Sequence, residues 1–142
     1  MTAKAWLNRG RDASRNLSRL EADKRAAEHR ATRITTNMRE RVNTGSKGRN
    51  DEILVAMADY SLEFDMQIAE FYRLLSEISR AIFSIDDGKL RVLLIKRYIL
   101  FKTWETVAED MNYSYENVVQ RLHVKALNAI ELIIGDLTNG KN

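Results

Sequence analysis

The complete lack of proline constrains this chain most, because proline ends helices more strongly than any other residue. The 142 residues contain no Pro and only six Gly. A proline inside a helix removes a backbone hydrogen bond and clashes with the preceding turn. The chain is also rich in Ala, Leu, Arg and Glu, which have high helix propensity. We therefore predict an all-α protein with long uninterrupted helices.

Composition argues against several classes of functional site. The absence of Cys excludes disulfides and thiolate metal ligands, and the two histidines, His29 and His123, are too few and too far apart for a typical zinc site. No Gly-rich phosphate loop is present, and no nucleophile stands at a recognisable spacing from a base. We expect no metal, no cofactor and no enzymatic activity.

The absence of Cys fits an intracellular protein, which we expect to be cytoplasmic, and the hydropathy pattern fits a soluble one. The first twenty residues carry several arginines and no apolar core, so they do not resemble a signal peptide. Nowhere do eighteen apolar residues run together, and we expect no membrane partner. The length allows one or two small domains.

Residues 1–86 predict a long antiparallel helical hairpin. The first helix, about 2–41, carries a narrow seam at heptad-like spacing: Ala13, Leu17, Leu20, Lys24, Ala27, Ala31, Ile34 and Met38. The second helix, about 51–85, carries a heavier stripe: Leu54, Met57, Phe64, Ile68, Phe71, Leu75, Ile78 and Ile82. Residues 43–50, NTGSKGRN, predict a polar turn. Two helices of similar length joined by a short turn fold back to bury one face each.

Charge supports this pairing. The net charge is +8 over residues 1–50, −7 over 51–88 and +2 over 89–142. Opposite blocks attract when they lie side by side. The arginines of the first helix are therefore interpreted mainly as a solvated face beside the acidic helix, with phosphate binding as the alternative.

Asp86, Asp87 and Gly88 predict a break that ends the hairpin and begins a second domain, residues 87–142. A leading helix follows, with a wide apolar face: Leu90, Leu93, Leu94, Tyr98 and Phe101. We expect Trp104 to pack between this helix and the segment that follows it, and His123 to be exposed or to face phosphate. The final helix of the chain, which starts near residue 115, is expected to continue to Gly135 through an apolar extension that docks on the hairpin or on a second copy: Leu127, Ile130, Ile133 and Ile134.

Residues 103–126 predict a helix-turn-helix. Thr103 is a suitable N-cap, and a short helix with an apolar stripe follows it: Val107, Ala108 and Met111. Asn112 tolerates the left-handed backbone that a sharp turn requires. Ser114 caps the second helix, whose inward residues are Val118, Leu122 and Ala126. Its outward residues are Tyr115, Glu116, Asn117, Gln120, Arg121 and Lys125.

The stretch TWETVAEDMNYSYENVVQRLHVKAL, preceded by LRVLLIKRY, resembles region four of bacterial sigma factors over residues 89–131. With a helical N-terminal half opening TAKAWLNRGR, the whole chain is similar to small phage and prophage proteins with sigma-like C-terminal domains. The late-transcription regulators of the ArpU and RinA kind are among them. The resemblance implies that the second helix enters the major groove of DNA.

The resemblance also implies residue roles. It implies base-edge contacts for Glu116 and Gln120. With their outward neighbours on the same helix, we expect the base-reading residues to be Ser114, Tyr115, Glu116, Asn117 and Gln120. It also implies phosphate contacts for Arg97, Arg121 and Lys125, to which we add Lys102 and Thr103 as expected phosphate-binding residues. Tyr115 and Val119 stand where housekeeping sigma factors carry arginines. We therefore expect this helix to read a sequence other than an ordinary promoter element.

The functional expectation is a sequence-specific DNA-binding regulator of phage or prophage genes in the cytoplasm of a bacterial host. Its partners are double-stranded DNA and, by the resemblance, bacterial RNA polymerase. One motif of this size buries little DNA surface, so we expect a homo-oligomer, a dimer or higher. Two alternatives stay open. One is a DNA-packaging protein of the small-terminase kind, although those usually carry the DNA-binding part first. The other is an adaptor that binds RNA polymerase.

Overall fold

A computed structural model describes the backbone of residues 1–40 and 47–139 and the side chains of residues 1–33 and 51–136. Within these ranges the protein is all-helical and contains no strand, which confirms the all-α prediction. In the same ranges, no helix combines the length and the apolar character that crossing a bilayer requires.

The helices are long at the N-terminal end of the chain and short in the middle. Helix α1 spans Ala3–Glu40, α2 spans Lys47–Phe83, and α3 spans Gly88–Leu94 and continues into a wider π-helical turn, Ile95–Ile99. Helix α3 and this turn together form the predicted leading helix. Helix α4 spans Trp104–Met111, and α5 spans Tyr115–Asn117. A second π-helical turn, Val118–Leu122, joins α5 to α6, His123–Asn139. We call the continuous run 115–139 the distal helix.

Two predicted helix boundaries are wrong. Helix α2 begins at Lys47, so residues 47–50 of the predicted turn are helical, while its residues 43–46 lie outside the described part of the chain. The distal helix continues past Gly135 to Asn139. Gly lowers helix stability by about 1 kcal/mol relative to Ala, which does not end a helix that no proline follows.

The chain divides into two compact units. Unit 1 comprises Met1–Asp12 and Phe71–Asn142, and unit 2 comprises Ala13–Glu70. The first turns of α1 and the last turns of α2 therefore belong to the same unit as the shorter helices. The domain boundary predicted at residues 86–87 lies inside unit 1 and stays a prediction about which parts can fold alone.

Unit 1 has one continuous apolar core. Its fully buried side chains come from the start of α1, the end of α2, α3 and the π-helical turn after it, α4 and the distal helix: Leu7, Ile78, Ile82, Leu93, Leu94, Tyr98, Val107, Val118, Ala126 and Ile130. Leu127, Ile133 and Ile134 are partly buried against this core. The apolar extension of the distal helix thus packs on a core that the start of α1 and the end of α2 help to form.

The start of α1 approaches the end of α2 closely. A methyl group added at Gly10 would lie 3.2 Å from Leu75 Cδ2 and 3.3 Å from Ile78 Cδ1, so the missing side chain permits the approach. The Arg9 guanidinium donates to the Glu77 carboxylate at 3.0 Å. Arg9 also lies over the Trp6 ring, 4.9 Å from its centroid.

Unit 2 contains α1 from Ala13 onward and α2 as far as Glu70. The predicted α1 seam is half-buried there, at Ala13, Leu17, Leu20, Lys24, Ala27 and Ala31, whereas the side chains of Ile34 and Met38 lie outside the described residues. The Lys24 ammonium lies 5.1 Å from the centroid of the Phe64 ring.

The prediction that Leu54 belongs to the buried stripe of α2 is wrong. Leu54 is 65% exposed, and its neighbour Ile53 is half-buried in its place. Both residues lie about one turn before Met57, at i−3 and i−4, so periodicity alone does not choose between them. Met57, Phe64 and Ile68 are half-buried as predicted.

Candidate nucleic-acid interface

Helix α4 begins where local chemistry predicts. Thr103 has an extended backbone, and its Oγ1 accepts a hydrogen bond from the Thr106 N–H at 3.2 Å. This satisfies one of the N–H groups that a helix start leaves unpaired. Val107 and Ala108 are buried, which confirms the inward face of this short helix.

The turn after α4 depends on Asn112. Its backbone is left-handed, with φ 59° and ψ 38°, as predicted. The Asn112 N–H donates to the carbonyls of Ala108 and Glu109, and the Tyr113 N–H donates to the Ala108 carbonyl at 3.0 Å. These bonds close the C-terminal end of α4 and reverse the chain toward the distal helix.

We expect Asn112→Val to destabilise unit 1 by about 1–2 kcal/mol, because a β-branched residue is strained in the left-handed region. Asn112→Gly should leave the stability unchanged or slightly raise it, because Gly adopts this backbone without a steric cost. Urea unfolding of both variants measures the difference. Equal stabilities for the Val and Gly variants would show that this backbone conformation does not matter for the turn.

The distal helix starts at a second capped position. Ser114 Oγ accepts from the Asn117 N–H at 3.2 Å. Val118 and Ala126 are fully buried and Leu122 is partly buried, so the inward face is confirmed. Ser114, Glu116, Asn117, Gln120 and Arg121 together line one open surface hollow.

The predicted base-reading residues therefore lie side by side at the start of the distal helix. Ser114, Glu116 and Gln120 are exposed, Tyr115 is 47% exposed, and Asn117 is half-buried. The hollow brings together four of the five predicted residues, since only Tyr115 lies outside it. Carboxylate, amide and hydroxyl groups are the types that hydrogen-bond base edges.

Two of the predicted phosphate-binding residues are exposed on the distal helix, and the other three make contacts inside the protein. Arg121 and Lys125 are exposed on the distal helix. Thr103 is used as the α4 cap, and Lys102 donates to Asp110 at 2.8 Å. The Arg97 guanidinium donates to the Lys102 carbonyl at 3.0 Å and lies 4.7 Å from the centroid of the Trp104 ring. Arg121 and Lys125 are thus the cations that the helix itself presents.

A carboxylate between two lysines connects the leading helix to α4. Asp110 accepts from Lys102 at 2.8 Å and from Lys96 at 3.2 Å. These hydrogen bonds, the one from Lys102 first, hold the pKa of Asp110 below its ordinary value. Lys96 is not recognisable from the sequence as part of this cluster, because its partner lies fourteen positions away and follows no helical spacing.

The prediction that His123 is exposed or faces phosphate is wrong. His123 is only 7% exposed, and its Nε2 lies 2.7 Å from the Tyr98 hydroxyl, with which it shares a hydrogen bond. The Trp104 ring lies 4.4 Å from it, centroid to centroid, so Trp104 packs between the leading helix and the distal helix as predicted. Burial lowers the pKa of His123 to about 4 and raises the pKa of Tyr98 to about 12. Both groups are therefore neutral near pH 7.

The π-helical turn explains the burial of His123. The His123 N–H donates to the Val118 carbonyl, which places one more residue in this turn than an α-helix has. In a regular α-helix with Val118 and Leu122 facing the core, the side chain of residue 123 would point away from the core, because successive residues are rotated by about 100°. The wider turn rotates His123 toward the core. No spacing pattern in the sequence marks such a turn.

No protein-family model matches this chain, and no curated protein or solved structure resembles it significantly. In the described part of the chain, no three His, Cys, Asp or Glu side chains come together as a metal site.

Proposed function

We propose that this protein is a sequence-specific DNA-binding transcription regulator of phage or prophage genes. Helix α4, the Asn112 turn and the distal helix would act as the helix-turn-helix of a domain like sigma region four. One observation carries the proposal. Two side-chain-capped helices joined through a left-handed Asn present a continuous polar surface at the start of the second helix, while Val118 and Ala126 anchor its other face.

In the proposed complex the start of the distal helix lies in the major groove. Glu116 accepts a hydrogen bond from the amino group of cytosine, and Gln120 pairs bidentately with adenine. Asn117 and Ser114 border the same hollow and contact adjacent base or phosphate groups. Arg121 and Lys125 bind phosphates and fix the register of the helix on the duplex.

The two long helices complete the proposed architecture as an antiparallel hairpin. In unit 1 the Arg9–Glu77 ion pair, and in unit 2 the contact between Lys24 and Phe64, support this pairing. We infer that the hairpin provides contacts with further copies of the protein or with RNA polymerase. The site of action would be the cytoplasm of the bacterial host.

Selection of bound fragments from the protein's source genome tests the proposal. We expect enrichment of a fragment upstream of a gene block. Glu116→Ala and Gln120→Ala should each lower the preference for that fragment by about 10-fold to 100-fold, because a good base contact contributes about 1–3 kcal/mol of discrimination. Weak, salt-sensitive binding to unrelated DNA should persist, because the phosphate contacts remain.

Glu131→Ala is the matched control. Glu131 is an exposed carboxylate on the same helix, roughly 22 Å further along it than Glu116 at 1.5 Å per residue. Its loss changes the net charge equally and should leave the preference intact. If the unmodified protein enriches no genomic fragment over random DNA, the regulator proposal fails. Capture of RNA polymerase without DNA, unaffected by Glu116→Ala and Gln120→Ala, would then favour the adaptor.

A further inference from the structure

The side of α2 that faces away from α1 carries an exposed apolar stripe in unit 2. Val55, Leu62 and Met66 are 61%, 63% and 59% exposed. Their spacing of seven and four residues places them on one helix face, opposite the half-buried Ile53, Met57 and Phe64. We call Val55, Leu62 and Met66 the outer stripe of α2. Large apolar side chains aligned on one exposed face are typical of a contact surface.

The side of α1 that faces away from α2 carries small and basic side chains where α2 carries large apolar ones. Ala22 and Ala26 lie in its centre, with exposed arginines around them: Arg15, Arg19, Arg30 and Arg33. We call these six residues the outer face of α1. Small residues at a helix surface leave room for large side chains from a neighbouring helix, in the way that knobs enter holes.

Charge decides which surface fits the outer stripe. Residues 51–70 contain six acidic and no basic side chains, and Glu52 and Asp59 are exposed beside the stripe. Packing two α2 helices together through their outer stripes would bring these acidic blocks into contact. Packing α2 on the outer face of α1 instead brings carboxylates to arginines, around a centre of large apolar side chains against alanines.

We propose that the outer stripe of α2 docks on the outer face of α1 in a second copy of the protein. The two surfaces lie on different helices and point away from the shared α1–α2 seam of unit 2. A single partner therefore covers only one of them. Such a head-to-tail interface produces rings, or open chains where the rotation does not close. The interface uses no residue of the distal helix, so it does not depend on the proposed DNA binding.

Charge reversal on each surface tests the pairing. The first variant carries Arg19→Glu and Arg30→Glu, and the second carries Glu52→Lys and Asp59→Lys. Light scattering should show a concentration-dependent assembly larger than a dimer for the unmodified chain, and roughly tenfold or more weaker association for each variant alone. Mixing the two variants should restore assembly, because each reversed surface then meets a complementary one.

A second test addresses the apolar part of the interface with one variant on the outer stripe and one control variant off it. Leu62→Gln together with Met66→Gln should abolish assembly, whereas Leu54→Gln should not, because Leu54 is 65% exposed on the same helix but lies off the outer stripe. Circular dichroism of each variant verifies that its helix content is unchanged.

Two results would overturn the proposal. One is an unmodified chain that stays monomeric up to its solubility limit. The other is an Arg19→Glu, Arg30→Glu variant that assembles as well as the unmodified chain, which would mean that the contact joins two α2 helices or lies elsewhere.

Discussion

Leu7→Ala is expected to lower the unfolding free energy of unit 1 by about 2–5 kcal/mol, the range for truncating a large apolar side chain in a core. Leu7 is fully buried and belongs to the same apolar cluster as Ile78, Ile82 and Leu93. The loss combines the transfer energy of the removed methyl groups with the cavity they leave. The two tryptophans, Trp6 and Trp104, both lie in unit 1, so tryptophan fluorescence during urea unfolding reports on this unit.

Leu17→Ala is the control for this experiment. Leu17 lies ten residues further along α1, in unit 2, and is only half-buried. The same chemical change there should shift the fluorescence transition much less than Leu7→Ala does. A Leu7→Ala variant within about 0.5 kcal/mol of the unmodified chain would contradict the common core, since changes of that size are typical of surface positions. It would also favour residues 87–142 as a separately folding domain.

The sequence predicts best those features that depend on a few adjacent residues. Thr103 and Ser114 are caps because a side-chain oxygen reaches an N–H two or three residues ahead, which is settled within one turn of helix. Asn112 turns left-handed because few other side chains tolerate that backbone. These local rules place the predicted base-reading residues on one surface without knowledge of the remaining fold.

Features set by distant residues are not predictable in this way. Phe101 has a left-handed backbone with φ 58°, unusual for a bulky residue, and its ring lies 6.2 Å from that of Phe71 on α2. The choice of Ile53 over Leu54 likewise depends on how α2 is rotated against α1. Tertiary packing selects among alternatives that local propensity leaves nearly equal in energy.

The common core of unit 1 illustrates the same limit. Trp6 and Leu7 are recognisable in the sequence as an apolar start of α1, but their partners lie about seventy or more residues away along the chain. Periodicity assigns such residues to the inward face of their own helix. It does not identify which other helices share that core.

Acid is expected to destabilise unit 1 through His123. The pKa of this side chain is lowered from about 6.5 to about 4 by burial first, and then by the positive charges of Lys4 and Arg97. The unfolded chain binds a proton below pH 6.5, whereas the folded protein does not until about pH 4. The stabilising contribution of neutral His123 is therefore fully present above pH 6.5. It is lost as the pH drops toward 4, which lowers the unfolding free energy by about 3 kcal/mol in total at 1.36 kcal/mol per pKa unit.

Two variants isolate this effect. His123→Gln removes the titrating group, and we expect it to flatten the dependence of stability on pH between 6.5 and about 4. Urea unfolding at several pH values provides the measurement. His29→Gln is the matched control, because the only other histidine of the chain is exposed and its loss should leave the slope unchanged.

Titration of the Asp110 carboxylate lies below the pH range of this measurement. Hydrogen bonds from Lys102 and Lys96 lower its pKa below the ordinary value of 3.8, so its contribution is lost only at more acidic pH. A slope in the window from 6.5 to 4 thus reports mainly on His123. If His123→Gln retains the full slope, His123 binds its proton as readily in the folded protein as in the unfolded chain, and its burial beside Tyr98 and Trp104 does not exclude the charge. If His123→Gln removes the slope, the folded protein excludes the proton from His123, as its burial against Tyr98 and Trp104 leads us to expect.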